Sequence, residues 1–328
     1  MTATEGSSTL PSQRFTRVST AAPVTAGVGS PKRKRTSPLA LSREMPLTVK
    51  MAALWLLFVV FGAIYAKVDG WVGGALPLQD PLQQGFDFKT GKTISEKNES
   101  PSLDHWLGTD VLGRDTFSRI LLGSWTSLIV ASTAAAAGVI IGGLIGTFVG
   151  YVRGRTEAGI MAGIDVILAF PPLILLLGMV SIWKIRNLLV IATVIGVLSI
   201  PAYTRVARAN TLAIANREFV HAAQAIGTRR RKILFREIIP NVLPTLMAYA
   251  LVAAAFVIVV EGTLSFLGLS VSPPEPTWGN MINEGRADIR QTVLPVLWPS
   301  LALTFTVLSL NQVGDWLQKR SAYRASAI

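Results

Sequence analysis

The stretch VLPTLMAYALVAAAFVIVVEG, residues 242–262, decides the fold of this chain. Its first charged side chain is Glu261, close to its end. A transmembrane helix needs roughly 20 consecutive, mostly apolar residues to cross the hydrocarbon core of a bilayer. A soluble helix that is apolar on every face must instead be buried on all sides. We therefore interpret this stretch as a membrane span.

Five further apolar runs have the same character. Half of the 328 residues are apolar and only 15% are charged, whereas soluble domains are about 25% charged. In chain order, the predicted spans cover 48–66, 122–151, 159–183, 187–207, 242–267 and 293–317. The sequence thus predicts an all-α polytopic membrane protein with six transmembrane helices.

The basic residues predict how these helices are oriented. With a cytosolic N-terminus, 21 of the 31 Lys and Arg residues fall on the cytosolic side. Cytosolic loops of membrane proteins carry such an excess. Lys184 and Arg186, in a short outer loop, are the exception. We therefore expect both termini in the cytosol, and the net charge of +12 requires no nucleic acid partner.

The composition divides the chain into segments. The first 47 residues are basic and rich in Pro, Ser, Thr and Ala, a composition that cannot bury enough apolar surface to fold. The predicted organisation is a disordered basic cytosolic segment at 1–47, a first transmembrane helix at 48–67, an outer loop at 68–121, a five-helix transmembrane core at 122–320 with a cytosolic loop at 209–241, and a cytosolic tail at 321–328.

Residues for catalysis or metal binding are scarce. The chain contains no cysteine, which excludes disulfides and thiolate nucleophiles. His105 and His221 are predicted on opposite sides of the membrane, and neither an HExxH nor a GxxxxGK[ST] motif occurs. We expect no catalytic, cofactor-binding or metal-binding residue on this chain.

The stretch EFVHAAQAIGTRRRKILFREIIPNVLP, residues 218–244, is basic and amphipathic and lies between predicted spans four and five. Three interpretations are open: binding to nucleic acid, a helix lying on anionic lipid headgroups, or docking to a cytosolic protein. The small side chains of Ala222 and Ala223 allow close approach to another surface, which favours docking.

Three residues of this stretch predict its local structure. Gly227 suits the left-handed residue that ends a helix. Thr228 is the predicted N-cap of the next helix. Pro240, which lacks an N–H, is predicted to end that second helix.

The order AAQAIG, nine residues, then EIIP resembles the cytoplasmic EAA loop of binding-protein-dependent ABC importer permeases. Matches by spacing are Ala222, Ala223, Gly227 and Pro240. The chain departs from the pattern at His221, where the family often has glutamate, and at Glu237, where it often has isoleucine or histidine.

Further motifs resemble the dipeptide/oligopeptide/nickel group of these permeases, and within it the C-type subunit. They are HWLGTDVLGRDTFSRILLG (105–123), DVILAFPPL (165–173), LSFLGLSVSPPEPTWGNMINEGR (264–286) and NQVGDWL (311–317). The resemblance covers about 103–320, in order and with natural spacing.

The resemblance implies a type I ABC importer permease fold in the bacterial plasma membrane. It implies a heterodimer with a partner permease, two ABC ATPase subunits that hold ATP and Mg, and an extracytoplasmic substrate-binding protein. Residues 209–241 would be the coupling loop. The implied substrates are short peptides, dipeptides first, with oligopeptides, nickel complexes or other small solutes as alternatives. A self-sufficient secondary carrier and a membrane scaffold are the alternatives of another class.

A stripe of small residues marks predicted span two. It consists of Gly138, Gly142, Gly146 and Gly150, one residue in every four. Such stripes let helix backbones touch in lipid. The stripe predicts packing against a span of the same chain, or else contact with the partner permease or a face that slides during gating.

Predicted span three contains unusual residues for a membrane helix. Pro171 and Pro172 break its hydrogen-bond ladder, either as a structural kink or as a discontinuous helix lining the substrate path. Asp165 is an intramembrane carboxylate near the cytosolic end, predicted to be either a buried hydrogen-bonded or salt-bridged residue or a gate residue. On the outer side, Trp278 is predicted to anchor at the headgroup level.

Overall fold

The computed structural model describes residues 45–72, 80–87, 92–93, 95–183 and 187–326. Residues from Met45 onward form one compact unit. Of the predicted disordered segment 1–47, only the last three residues belong to the described part of the chain. Lys184 and Arg186 also lie outside the described residues.

The described chain is almost entirely helical. The helices are α1 (Leu47–Val72), α2 (Thr116–Ala137), α3 (Gly143–Val152), α4 (Gly154–Leu168), α5 (Pro172–Trp183), α6 (Leu188–Ala215), α7 (Glu218–Ala225), α8 (Arg230–Ile233), α9 (Ile239–Phe266), α10 (Trp278–Gly285) and α11 (Leu294–Ser326). Single π-helical turns join α2 to α3 (Gly138–Gly142) and α8 to α9 (Leu234–Ile238), and a 3-10 turn (Arg286–Asp288) follows α10. Two short antiparallel strands, β1 (Phe86–Asp87) and β2 (Lys92–Thr93), form a hairpin between α1 and α2.

Five helical segments of the described chain are long and apolar enough to cross a membrane. They are span one (Leu47–Asp69), span two (Thr116–Val152), span four (Leu188–Ala215), span five (Arg230–Phe266) and span six (Leu294–Ser321). The helices α4 and α5 meet at 71° and together make span three. The predicted all-α fold with six spans is confirmed with this bent pair counted as one span. The cytosolic position of the termini stays a prediction.

The helices extend beyond the predicted apolar runs. Helix α1 continues to Val72 and α2 begins at Thr116, so both enter the predicted outer loop 68–121. Helix α2 starts early because the Asp115 carboxylate caps it, accepting a hydrogen bond from the Ser118 N–H at 2.8 Å. At the other end of the chain, α11 runs through most of the predicted tail.

Span two and span five form the centre of the fold. Helix α2 packs on α1, α6 and α9, and α9 also packs on α11. The side chains of Val130, Ile191 and Leu264 have no exposed area in this core. Interiors of this kind are close-packed, so a change of volume at these positions is felt by several helices.

The predicted glycine stripe faces span four of the same chain. A Cβ built on Gly142 would lie 2.7 Å from the Ile200 carbonyl oxygen, and one on Gly150 would lie 2.9 Å from the Arg208 carbonyl oxygen. Gly138 lies against the ring of Tyr203, and Gly146 against the backbone of span four. The small residues therefore allow two spans of one chain to approach closely.

Span three breaks at its prolines. Helix α4 ends at Leu168 and α5 begins at Pro172. The Pro171 carbonyl accepts hydrogen bonds from Ile174 and Leu175 at 3.0 and 3.2 Å, which starts the second helix. Proline removes a backbone donor and clashes with the preceding turn, so the ladder is interrupted where the sequence predicts. Lining of a substrate path by these residues stays a prediction.

Candidate coupling site and outer charge cluster

The predicted cytosolic loop after span four contains a short helix with a tight end. Gly227 has φ of 75°. Its N–H donates to the Gln224 carbonyl at 3.0 Å, and the Thr228 N–H donates to the Ala223 carbonyl at 3.1 Å. These two bonds and the left-handed glycine form a Schellman motif, which satisfies carbonyls at the end of α7. The predicted helix end at Gly227 is therefore present.

Two predictions for this loop are wrong. Helix α8 begins at Arg230, and its N-cap position is Arg229 rather than Thr228. The Thr228 N–H is already used in closing α7. Nor does Pro240 end the second helix, because span five is continuous from Arg230 to Phe266.

The π-helical turn Leu234–Ile238 explains how the helix accommodates this proline. The turn directly precedes α9, in which Pro240 occupies the second position. The π turn interrupts the regular hydrogen-bond ladder, and Pro240, which has no N–H to donate, directly follows this interruption. The loop and span five are thus one helical segment.

An apolar cluster holds the loop against the membrane helices. Val220, Ile233 and Ile238 have no exposed area, and they pack with Tyr203 of span four and Val242 of span five. The loop is consequently fixed in position by buried side chains that it shares with span four and span five.

The opposite face of α7 is exposed. His221, Ala222 and Gly227 are exposed, and Ile226 at the tip is 82% exposed. Ala223 is half-buried. Small side chains beside an exposed apolar residue at the tip of a rigid element form a surface on which another protein can dock. Among the other predicted positions, Thr228 and Glu237 are half-buried and Pro240 is exposed.

On the predicted outer side, four charged residues form a cluster that connects distant parts of the chain. This outer charge cluster consists of Asp110, Arg114, Arg119 and Glu284. Arg114 Nε lies 2.7 Å from Asp110 Oδ2, and Arg114 Nη2 lies 2.5 Å from Glu284 Oε2. Arg119 Nη2 lies 3.3 Å from the same Glu284 oxygen. Arg119 Nε lies 3.2 Å from Asp110 Oδ2. These two atoms form an ion pair, but their angle does not allow a hydrogen bond.

Burial makes this cluster structurally important. The Arg119 side chain has no exposed area and that of Arg114 is 2% exposed. A buried charge without a partner is strongly destabilising, and here each guanidinium contacts two carboxylates. Because Arg114 and Glu284 are 170 residues apart, the cluster ties the segment before span two to α10.

Trp278 is the first residue of α10, the helix that also carries Glu284 of the outer charge cluster. The prediction that Trp278 anchors at the headgroup level is wrong. Its side chain is 1% exposed, and its indole N–H donates to the Ile120 carbonyl at 3.1 Å. Gly123 of α2 lies beside the indole, and a Cβ built there would be 3.4 Å from Trp278 Cδ1, in ordinary van der Waals contact. The tryptophan therefore packs α10 onto span two.

Asp165 forms an ion pair. Its Oδ1 lies 2.6 Å from Nη2 of Arg205, and Glu157 Oε1 lies 2.6 Å from Nη2 of Arg208. Both pairs join α4 to span four. The structure thus shows the salt-bridged alternative for Asp165, although the side chain is 57% exposed.

Glu261 is a buried carboxylate within span five, and it is 1% exposed. It accepts hydrogen bonds from the hydroxyls of Ser265, Ser127 and Ser270 at 2.6, 3.3 and 3.4 Å. The three serines come from span five, span two and the segment after span five. Glu261 therefore links these elements near the outer end of span five.

Comparison with known proteins identifies the family. Residues 138–326 match the family described as binding-protein-dependent transport system inner membrane component. A glutathione transport system permease protein GsiD from Pectobacterium atrosepticum is 38% identical over 233 residues, which cover 71% of this chain and 77% of the relative. The Escherichia coli protein of the same name is 35% identical over 269 residues, covering 81% and 83%. The chain is a member of the ABC importer permease family. It is an inner-membrane component of such an importer.

The family match includes the coupling loop and the bent span three of the permease. Three residues of the outer charge cluster precede it: Asp110, Arg114 and Arg119. Sequence reasoning quoted these residues only as part of a motif and did not identify them as a cluster. Asp110 and Arg114 lie in the turn before α2 and not on a helix, so no helical spacing in the sequence indicated that they pair.

Proposed function

We propose that this permease forms, with a second permease, the path for short peptides imported with energy from ATP. Dipeptides are the first expected substrates, and tripeptides of the size of glutathione are included because the relatives are named as glutathione permeases. The motifs between 105 and 317 that resemble the dipeptide and oligopeptide group support the same class.

The observation that carries the proposal is the continuity between the exposed coupling loop and span five. His221 and Ala222 of α7 and Ile226 at its tip are exposed, and the turn after them leads directly into a 37-residue helix. A cytosolic ATPase that binds α7 would move this helix. We propose that two ATPase subunits, which hold ATP and Mg, dock in this way on the two permeases.

The exposed helix α4 is the proposed contact with the second permease. Gly159 and Gly163 are four residues apart, and a Cβ built at either one has no atom within 4 Å. Only Ile164 of this helix is buried. A small-xxx-small pair of this kind allows two membrane helices to approach closely.

The outer layer faces the side from which an extracytoplasmic binding protein would deliver peptide. Its α10 and the segment before span two are held together by the outer charge cluster. A fixed outer surface of this kind suits docking of a second protein, since little conformational freedom is lost on binding.

The test combines purification and transport. The tagged permease is isolated from membranes that contain the products of its neighbouring genes, and bound proteins are identified by mass spectrometry. The purified assembly is then reconstituted in liposomes with ATP inside, and uptake of a labelled dipeptide, glutathione and a nickel chelate is compared. We expect two ATPases, a second permease and ATP-dependent peptide uptake. Uptake by the permease alone without ATP would instead establish a self-sufficient carrier.

A further inference from the structure

A basic pocket of about 570 Å³ lies between the cytosolic end of span two and the coupling loop. We define the basic pocket by Phe148, Val152, Arg153, His221, Arg230 and Arg231, which are among the residues that line it. Helix α3 ends at Val152, so the pocket opens where span two leaves the membrane.

The charge of the basic pocket is unbalanced. Three arginines line it, and its lining contains no Asp or Glu. The neighbouring cavity of about 530 Å³ differs, because its Arg205 and Arg208 are paired with Asp165 and Glu157. Three guanidinium groups around one cavity repel one another, and an anion bound between them would relieve this repulsion.

The position of Arg153 is set by two features. Its backbone has φ of 58°, an uncommon conformation for a residue other than glycine. Its Nη2 donates to the Asn216 side-chain carbonyl at 3.1 Å, which ties the turn after span two to the end of span four. The amide oxygen is neutral, so the positive charge of Arg153 is still available to an anion.

The apolar wall of the pocket indicates what kind of anion fits. Phe148 is 44% exposed and Val152 is 43% exposed, both in the last two turns of span two. Free phosphate has no apolar part to cover these side chains. A phospholipid does, since its acyl chains lie beside the span while its headgroup lies at the level of the basic loop.

We propose that the basic pocket binds the phosphate of an anionic phospholipid of the cytosolic leaflet. Arg153, Arg230 and Arg231 hold the phosphate, and the acyl chain covers Phe148 and Val152. His221 and Gln224 of α7 form another wall of the pocket, so the bound lipid also contacts the coupling loop. Lipid binding would therefore stabilise the position of α7 relative to span two.

The test uses two double variants of the same basic run. Arg230→Gln with Arg231→Gln removes two charges that line the pocket, whereas Arg229→Gln with Lys232→Gln removes two exposed charges that do not. Phosphatidylglycerol and phosphatidylcholine are titrated into the full-length protein in detergent, and bound lipid is counted by native mass spectrometry. Each basic residue close to an anionic lipid contributes about a fivefold gain in affinity, so the pocket variant should bind phosphatidylglycerol about 30-fold more weakly.

The control variant should lose less than about threefold, and wild type should prefer phosphatidylglycerol to phosphatidylcholine. Arg230→Lys with Arg231→Lys keeps both charges and should retain most of the binding, which separates loss of charge from misfolding. Equal losses in the two glutamine variants would overturn the proposal in favour of diffuse attraction. Binding of inorganic phosphate as tightly as phosphatidylglycerol would overturn the lipid as the source of the phosphate.

Discussion

Nη2 of Arg205 lies 2.6 Å from Oδ1 of Asp165, and this ion pair connects two helices that share little apolar contact. Helix α4 has one buried residue, Ile164, and is otherwise held to span four through this pair and the pair between Arg208 and Glu157. The attachment of α4 to span four therefore depends on these ion pairs more than on apolar packing, and it is weak because partly exposed pairs contribute little.

A charge exchange tests this dependence. Asp165→Arg alone and Arg205→Asp alone should each lower peptide uptake, because like charges would then face each other. The two changes together should restore most of the uptake. Because both side chains are about half exposed, the free energy of unfolding should change by no more than about 1 kcal/mol in Asp165→Asn. A double variant that transports no better than the single variants would assign Asp165 a role beyond the ion pair.

Two glycine substitutions of the same size should have different effects. Gly146→Leu should lower the free energy of unfolding by about 1–3 kcal/mol or more, because the added side chain would clash with the backbone of span four. Gly163→Leu has open space around it and should leave the thermal midpoint of the isolated chain unchanged.

The readout that separates the two glycines is assembly. Gly163→Leu should reduce co-purification of the second permease, whereas Gly146→Leu should reduce the amount of folded chain itself. Full recovery of the second permease with Gly163→Leu would show that α4 is not the contact between permeases.

The outer charge cluster should be sensitive to loss of a single partner. Glu284→Gln leaves Arg114 and Arg119 with one carboxylate between them, and this should cost about 3–5 kcal/mol of unfolding free energy. Thermal unfolding in detergent, monitored by size-exclusion chromatography, measures the loss. Arg290→Gln, an exposed change on the same side, is the control and should have little effect. Equal midpoints for the two variants would contradict the structural role of the cluster.

Gly227 allows the docking surface to be separated from the fold of the loop. Gly227→Asn should keep ATPase binding and uptake, because asparagine tolerates the left-handed conformation. Gly227→Trp should abolish both while the spans stay inserted, because a large side chain would block close approach to α7. Co-purification of the ATPases and labelled uptake measure the two effects. Normal transport by Gly227→Trp would remove the coupling role from this loop.

The spans were the most predictable part of the fold. Five of the six apolar runs correspond to one continuous helical segment each, and the sixth, 159–183, to the bent pair α4 and α5, because the length of a span is dictated by the bilayer. The turn at Gly227 and the break at Pro171 and Pro172 were also predictable, since glycine and proline act on the backbone within one or two residues.

Contacts between distant residues were not predictable from the same signals. Nothing local to Arg114 indicates that its partner is Glu284, and the buried indole of Trp278 has its hydrogen-bond partner, the Ile120 carbonyl, in another helix. The small-residue stripe was visible in the sequence, but only the structure shows that it faces the same chain. Gly159 and Gly163, which face open space, were not singled out.

The continuity of span five across Pro240 has a mechanical consequence. Its 37 residues form a rod about 55 Å long, with Arg230 at one end and Glu261 near the other. If the rod pivots about its midpoint by about 10°, each end moves by about 5 Å, and the two ends move in opposite directions. An inward pull on the cytosolic end would thus spread the outer end, and the serines around Glu261 would be the first contacts to part.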